Sequence, residues 1–297
     1  MAVNQHFASI AHALEWAVNR LRQQGIESPR LDAEVLLAHS ISSDRVSIYR
    51  DASAALDKDC QAQFRNYIAR RAGREPVAYI TGIKEFRSLA FRISSDVLIP
   101  RPETETIIDV MIQLHYKLMK KKTPLRILEV GTGSGIIAVS LAKELDDIWI
   151  SATDIASGIV EIARANAQLN RLDHKICFLV GDLLKPLISR DEANQFDCIL
   201  SNPPYLSDEE WNNAPPEIKT YEPERALRSG ADGLSFYRDI VPEAGRLLRK
   251  NGYLLLEIGQ GQAAPVSHLI GETGIFGPVS KAADLSGIAR VIMAQKH

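Results

Sequence analysis

Arg126-Ile127-Leu128-Glu129-Val130-Gly131-Thr132-Gly133-Ser134-Gly135 is a short apolar run that meets an acid and then breaks into glycines at alternate positions. The run reads as a buried strand. Glycine at every second position marks a turn where backbone comes close to whatever lies above it. A helical pattern follows through Ile136, Ile137, Val139 and Leu141. Strand, glycine turn and helix form the first unit of a parallel α/β sheet, and such sheets bind ligands beyond the carboxyl ends of their strands.

Working toward the C-terminus, the same alternation repeats. A strand over Ile148–Thr153 ends at Asp154, and a helix carries Ile159, Ile162, Ala163, Ala167 and Leu169. A third strand, Ile176–Val180, ends at Gly181-Asp182-Leu183. A fourth, Phe196-Asp197-Cys198-Ile199-Leu200, stops at Ser201-Asn202-Pro203-Pro204-Tyr205. A fifth covers Tyr253–Ile258, and the tail adds Val279 and Arg290–Ala294. Glu129, the glycine turn, Asp154, Asp182 and Asn202 therefore fall on one edge of the sheet.

Toward the N-terminus, Val97-Leu98-Ile99-Pro100-Arg101-Pro102 is extended, because two prolines one residue apart cannot sit inside a helix. A helix starting at Glu103 or Thr104 runs through Ile107, Ile108, Met111 and Leu114, and Lys120-Lys121-Lys122 reads as a solvated linker. Val77–Gly82 and Leu89–Ile93 alternate like two paired strands and predict a hairpin. Before it lie four amphipathic helical patterns: Phe7 to Leu21 closed by Gly25, a second opened by Ser28-Pro29, a short one over Val46–Tyr49, and one from Leu56 to about Arg71. The division is thus a helical unit over 1–74, a β-hairpin linker over 75–97 and a sheet domain over 98–297.

Composition narrows the class. The chain has 297 residues and a formal net charge of −2, which argues against a surface dedicated to wrapping DNA. Cys60, Cys177 and Cys198 are scattered, without a CxxC pair, which favours a reducing cytoplasm and offers no zinc site. The first residues lack the basic and apolar regions of a signal peptide, and no apolar run approaches the ~18 residues of a membrane span. Between Arg65 and Arg92 seven basic residues (Arg65, Arg70, Arg71, Arg74, Lys84, Arg87, Arg92) face two acids, Glu75 and Glu85. The stretch reads either as a docking face for an acidic partner or as a solvated helix face and hairpin.

The chemistry of the edge is more specific. Asp154 lies 21 residues after Gly133, where an acid would accept ribose hydroxyls of a dinucleotide or of S-adenosylmethionine. The loop is G-x-G-x-G, with Ile136 where a dinucleotide site has its third glycine. Glu129 is a poor neighbour for pyrophosphate and a good one for an ammonium and a sulfonium. Both details favour S-adenosylmethionine, and a P-loop fails for want of Gly-Lys-Ser/Thr. At the fourth strand tip, Pro203 and Pro204 remove two N–H donors beside the Asn202 side-chain carbonyl. A cluster of acceptors without donors suits one task, the gripping of both hydrogens of an NH2 group.

These motifs together resemble the release-factor glutamine methyltransferase family (HemK/PrmC), class I S-adenosylmethionine-dependent enzymes. The resemblance spans Pro76–Gly82, Glu85-Phe86, Leu98–Glu105, Glu129–Gly135, Asn202–Tyr205, Tyr221-Glu222-Pro223 and Asp232-Gly233-Leu234. Arg87-Ser88 departs from the family's hairpin, which has an aromatic or small residue and then Gly, and Leu183 stands where an aromatic is frequent. The resemblance implies a Rossmann-like class I methyltransferase sheet with helices on both faces, behind a small all-α substrate-docking domain and a β-hairpin linker.

It further implies that Glu129, Gly131, Thr132, Gly133, Ser134, Gly135, Asp154, Asp182, Leu183 and Asn202 bind S-adenosyl-L-methionine, converted to S-adenosyl-L-homocysteine. Asn202, Pro203, Pro204 and Tyr205 would hold the glutamine of the Gly-Gly-Gln loop of a class I peptide-chain release factor, with Asn202 and Pro203 catalytic and no metal involved. The implied enzyme is cytoplasmic and monomeric, touching neither membrane nor specific nucleic-acid sequence. The neighbouring alternatives are methyltransferases acting on a ribosomal-protein glutamine or on the exocyclic amine of a nucleic-acid base.

Overall fold

The structure is a computed structural model that describes residues 6–118, 124–188 and 195–297. The lysine run 120–122 and the first five residues lie outside the described residues. The chain divides into two compact units, 1–83 with 215–221, and 84–214 with 222–297.

The first unit is helical. α1 (Ile10–Gln23) is capped by Ser9, whose side chain accepts the His12 N–H. α2 (Pro29–Ser40) has proline in its first turn. α3 (Arg45–Arg50) and α4 (Lys58–Ala72) start at Asp44 and Asp57, whose carboxylates accept N3 amides and relieve unpaired donors. Phe7, Leu21, Leu36, Leu37, Ile48, Phe64 and Ile68 are almost wholly buried in one apolar cluster. Each side chain of this size contributes ~1.5–3 kcal/mol on burial.

One expectation fails here. Val77–Thr81 is not a strand but a short helix, α5, which buries Ala78, Tyr79 and Ile80 in succession. Pro76 stands at its N-cap and its carbonyl accepts the Ile80 N–H at 3.1 Å, so the local bonding is helical. The hairpin starts later, with β1 (Ile83–Phe86) and β2 (Leu89–Arg92) joined by Arg87 and Ser88. Both turn residues have positive φ, 48° and 59°, as a two-residue type I′ turn requires.

The basic stretch is largely neutralised. Arg70 pairs with Glu75, Arg71 with Asp32 at 2.7 Å, Arg74 with Glu217 at 2.8 Å, and Arg87 with Asp109 at 2.8 Å. Arg65 lies over the Phe7 ring, 4.4 Å from its centroid.

In the second unit a 3-10 turn over Pro102–Thr104 leads into α6 (Glu105–Leu118). The sheet chain then runs β3 (Leu125–Val130), α7 (Ile136–Glu144), β4 (Ile148–Asp154), α8 (Ser157–Leu169), β5 (Ile176–Val180), α9 (Lys185–Ile188) and β6 (Phe196–Ser201). After β6 come α10 (Asp208–Asn212), α11 (Pro216–Tyr221, part of the helical unit), α12 (Ser235–Leu247), β7 (Leu248–Glu257), α13 (Ala263–Glu272), β8 (Ser280–Ala283) and β9 (Ala289–Gln295). The described strands lie in the order β5-β4-β3-β6-β7-β9-β8. The first five are parallel, and β9 and β8 are added antiparallel. The residues of β6 are buried throughout, as in a sheet covered on both faces.

Succession from β3 proceeds outward to β4 and β5, then returns to β6 on the other side of β3. The switch point is therefore between β3 and β6, where a crevice opens. Val130 is in register with Ser201, and the Ser201 hydroxyl donates to the Val130 carbonyl at 2.7 Å. That register puts Gly131 and Asn202, the next residue on each strand, side by side.

Candidate active site

A cavity of about 490 Å³ lies at this switch point. Its walls include Glu129, Gly131, Thr132, Gly133, Ser134, Asp154, Asp182, Leu183, Asn202, Pro203 and Pro204. One edge of one sheet has thus gathered residues drawn from four strand ends. Gly135 and Tyr205 do not line it. A side chain on Gly135 would come within 3.2 Å of Ala163 Cβ, so that glycine serves close packing of its turn on α8. Tyr205 packs against the apolar core of the sheet, with Gly259 against its ring.

The floor is made of backbone. Gly131 and Gly133 have φ of 72° and 55°, a region costly for other residues, and a Cβ at either would meet nothing within 4 Å. The Gly131 and Thr132 amides are tied to the Thr153 carbonyl at 3.0 and 2.9 Å, and the Gly133 amide donates to Asp154 Oδ2 at 2.9 Å. Asp154 therefore bridges the turn and the cavity. Asp182 lies on the same wall, paired with Lys185.

Glu129 is 1% exposed. Its Oε2 accepts the Thr132 hydroxyl at 2.7 Å and the Ala138 amide at 3.1 Å. Burial pushes its carboxyl up to about 8, against the pull of those two hydrogen bonds and with a small push from Asp154. A buried carboxyl on a cavity wall gains most from a ligand cation, which would discharge the desolvation cost.

The strand tip is built differently. Asn202 Nδ2 donates to Thr104 Oγ1 at 3.0 Å, whereas its Oδ1 is buried with no hydrogen-bond partner. An unsatisfied buried acceptor is costly, so its place on a cavity wall marks it as awaiting a donor. Sequence reasoning did not assign roles to Thr104, Arg101 or Glu257. Arg101 and Thr104 line the cavity, and Glu257, 1% exposed at the end of β7, follows Leu256, which pairs with Ser201, and so stands beside Asn202. The signal for Glu257 was available: one acid closing the run Leu254-Leu255-Leu256. Among the described residues, no group of three or more His, Cys, Asp or Glu could hold a metal ion.

Two domain families match the chain: the PrmC N-terminal domain over residues 12–82 and the methyltransferase small domain over 104–218. A release factor glutamine methyltransferase of Rhodopirellula baltica is 34% identical over 289 residues, 97% of this chain and 96% of the relative. One of Geobacter sulfurreducens is 37% identical over 284 residues, 96% of this chain and 95% of the relative. Among solved structures, the hMettl16 catalytic domain in complex with MAT2A 3′UTR hairpin 6 gives a TM-score of 0.54 at 18% identity, covering 73% of this chain and 79% of that one. A methyltransferase from Pyrococcus furiosus gives 0.50 at 18%, covering 78% and 98%. At these identities the structural likeness is one of fold.

Proposed function

The chain belongs to the release factor glutamine methyltransferase family, and from that premise we propose how its cavity transfers a methyl group from S-adenosylmethionine to the side-chain amide nitrogen of a glutamine in a class I peptide-chain release factor. The observation that carries the assignment of roles is the unpartnered Asn202 Oδ1 beside the open glycine turn.

The residues present fit the cofactor. Asp154 faces the cavity where a ribose diol needs an acceptor, Glu129 offers a buried carboxylate to an ammonium, and the bare glycine floor leaves room for close approach. Leu183 borders the same space with apolar surface suited to adenine. When bound, S-adenosylmethionine supplies a methyl group already activated by its sulfonium.

The remaining work is orientation. A carboxamide nitrogen is a poor nucleophile because its lone pair is delocalised into the carbonyl. Asn202 Oδ1 accepts one of its N–H groups and the Pro203 carbonyl the other, turning the nitrogen's lone pair toward the reacting carbon. Pro204 walls the pocket and limits water, and holding the partners near contact supplies much of the rate. No strong base is needed before transfer, because the nitrogen loses its proton after the bond forms. Tyr205, set off the cavity, supports the loop through its carbonyl, which accepts from Gln262 Nε2 at 2.8 Å.

The helical unit is read as the part that docks the release factor. We further read the enzyme as cytoplasmic, monomeric and without sequence-specific nucleic-acid contact. Three scattered cysteines without a CxxC pair and a near-zero net charge support that reading. Among the described residues no helix is long and apolar enough to cross a membrane. Incubation with labelled S-adenosylmethionine and separate pools of release factor, ribosomes and DNA tests it. Label is expected on one glutamine of the release factor, located by fragmentation mass spectrometry. Label confined to ribosomal protein or to base amines would overturn the substrate.

A further inference from the structure

Asn202 must present oxygen, and not nitrogen, to a substrate that offers only N–H donors. An amide side chain has nearly the same shape either way round, so its neighbours decide. Behind Asn202 those neighbours are oxygens. Nδ2 donates to Thr104 Oγ1 at 3.0 Å, and Ser201 pairs with Leu256 across β6 and β7, which sets Glu257 beside Asn202, where Thr104 and Asn202 both favour its ionised form. An ionised carboxylate can only accept, so beside it the Thr104 proton turns toward Glu257 and leaves the Thr104 oxygen to accept from Asn202. Turned round, Asn202 would place its oxygen against a carboxylate and a hydroxyl whose proton is spent.

We infer that Glu257, acting through Thr104, is a positioning residue that fixes the Asn202 amide with Oδ1 toward the substrate. This rests on the methyl-transfer reading above and names the residue that makes its acceptor reliable. Glu257 does not itself line the cavity, and its second oxygen is buried without a partner.

The surroundings suit a carboxylate held at some cost. Arg290 on β9 lies within electrostatic reach, itself shared with Asp284 at 2.9 Å and Glu103 at 3.8 Å. Tyr205 and Tyr237 also face it, and the Tyr237 hydroxyl donates to the Glu257 backbone carbonyl at 2.8 Å. Burial pushes the Glu257 carboxyl up to about 7, with Thr104, Arg290 and Asn202 opposing the shift and Glu103 adding to it. The ionised form does the holding. The pin therefore weakens as pH falls through about 7, where the carboxyl becomes a donor.

The test combines kinetics at saturating cofactor with a spectroscopic readout. Glu257→Gln is expected to lower kcat about 10–100-fold, the scale of losing an outer partner that orients a site ligand, with S-adenosylmethionine affinity unchanged. Thr104→Val falls in parallel, and Thr104→Ser, which keeps the hydroxyl, recovers most of that loss. In an Asn202→Ala background Glu257→Gln makes no further difference, because the two act through one amide. The Asn202 side-chain NH2 resonances, assigned by their loss in Asn202→Ala, shift as pH passes about 7 in the parent protein and not in Glu257→Gln. Normal turnover in Glu257→Gln, a parallel loss of cofactor affinity, or Asn202 resonances indifferent to Glu257 and pH would each overturn the inference. A protein that labels no release factor yet shows the resonance shift would break the substrate reading while leaving the positioning role standing.

Discussion

Two carboxylates near the ends of strands in one sheet, Glu129 on β3 and Glu257 on β7, have nearly the same local chemistry. Each is 1% exposed, each has its ionised form favoured by a threonine, and burial raises each well above the ordinary carboxylate range. They differ in what stands between them and the cavity. Glu129 lines it, so its charge is available to a ligand, whereas Glu257 lies one layer back and reaches the site through Thr104 and Asn202. A buried acid in a parallel sheet is thus a binding group or an ordering group according to position, not strength.

The cofactor side and the substrate side can be separated by mutation. The largest effect belongs to the strand tip: Asn202→Ala should lower kcat about 10²–10³-fold, as for one lost preorganised polar partner, and leave cofactor affinity nearly unchanged. Steady-state rates with calorimetric cofactor titration would show it, and equal loss of both would merge the two halves. Asp154→Ala should do the reverse. It should weaken S-adenosylmethionine by about 10–150-fold, from ~1.5–3 kcal/mol of charge-assisted hydrogen bonding, with little effect on kcat at saturation. Unchanged affinity would remove Asp154 from the ribose.

Proton linkage sharpens the comparison further. Glu129 in the ligand-free protein holds its proton up to about 8, and a bound ammonium favours the ionised form. Cofactor binding near pH 7 should therefore release protons, and affinity should decline as pH falls below about 8. Calorimetry in buffers of different ionisation enthalpy measures the release, which Glu129→Gln should abolish. Both acids also bind protons more tightly folded than unfolded, so each contributes stability that declines as pH rises from about 4.5, fastest below the raised values near 7 and 8. A melting temperature that instead rose across that window in the parent protein, relative to the double Gln variant, would contradict the assignment.

Much of this was legible in the residues, for physical reasons. β5 matches its apolar run end to end, and β3, β4 and β6 agree within a residue at their ends, because each shows as a short apolar stretch bounded by turn residues. Pro29 in the first turn of α2 and Asp154 at the end of β4 were similarly plain. The hairpin was not. Val77–Thr81 is too short for its alternation to tell helix from strand, and its true fate is set by Pro76 and by burial of three successive side chains. No element was assigned between Tyr205 and Tyr253, yet α12 buries Tyr237, Ile240, Val241, Ala244 and Leu247 at helical spacing. Pro242 within it hides the pattern, since proline ordinarily ends a helix. Gly135 read as a cofactor glycine because spacing cannot distinguish a bare floor from close packing on Ala163. Glu257 escaped because its role depends on Thr104, distant in sequence and adjacent only in the fold.

The smallest prediction concerns the hairpin, which holds neither acid. Ser88 has φ of 59°, and Ser88→Gly should relieve roughly 1 kcal/mol of that backbone strain, raising the urea midpoint at constant slope and leaving kcat alone. A fall in the midpoint would mean that the serine side chain contributes more than its backbone costs.

The decisive measurement is a double-mutant cycle between Asn202→Ala and a Gln→Ala change at the modified position of the release factor, read as binding affinity with S-adenosylhomocysteine present. Direct contact between the two amides predicts that the substitutions are strongly non-additive, each costing little once the other is made, with a coupling of about 1–3 kcal/mol. Fully additive losses would mean that Asn202 never touches the glutamine, and the proposed grip on its NH2 group would be wrong.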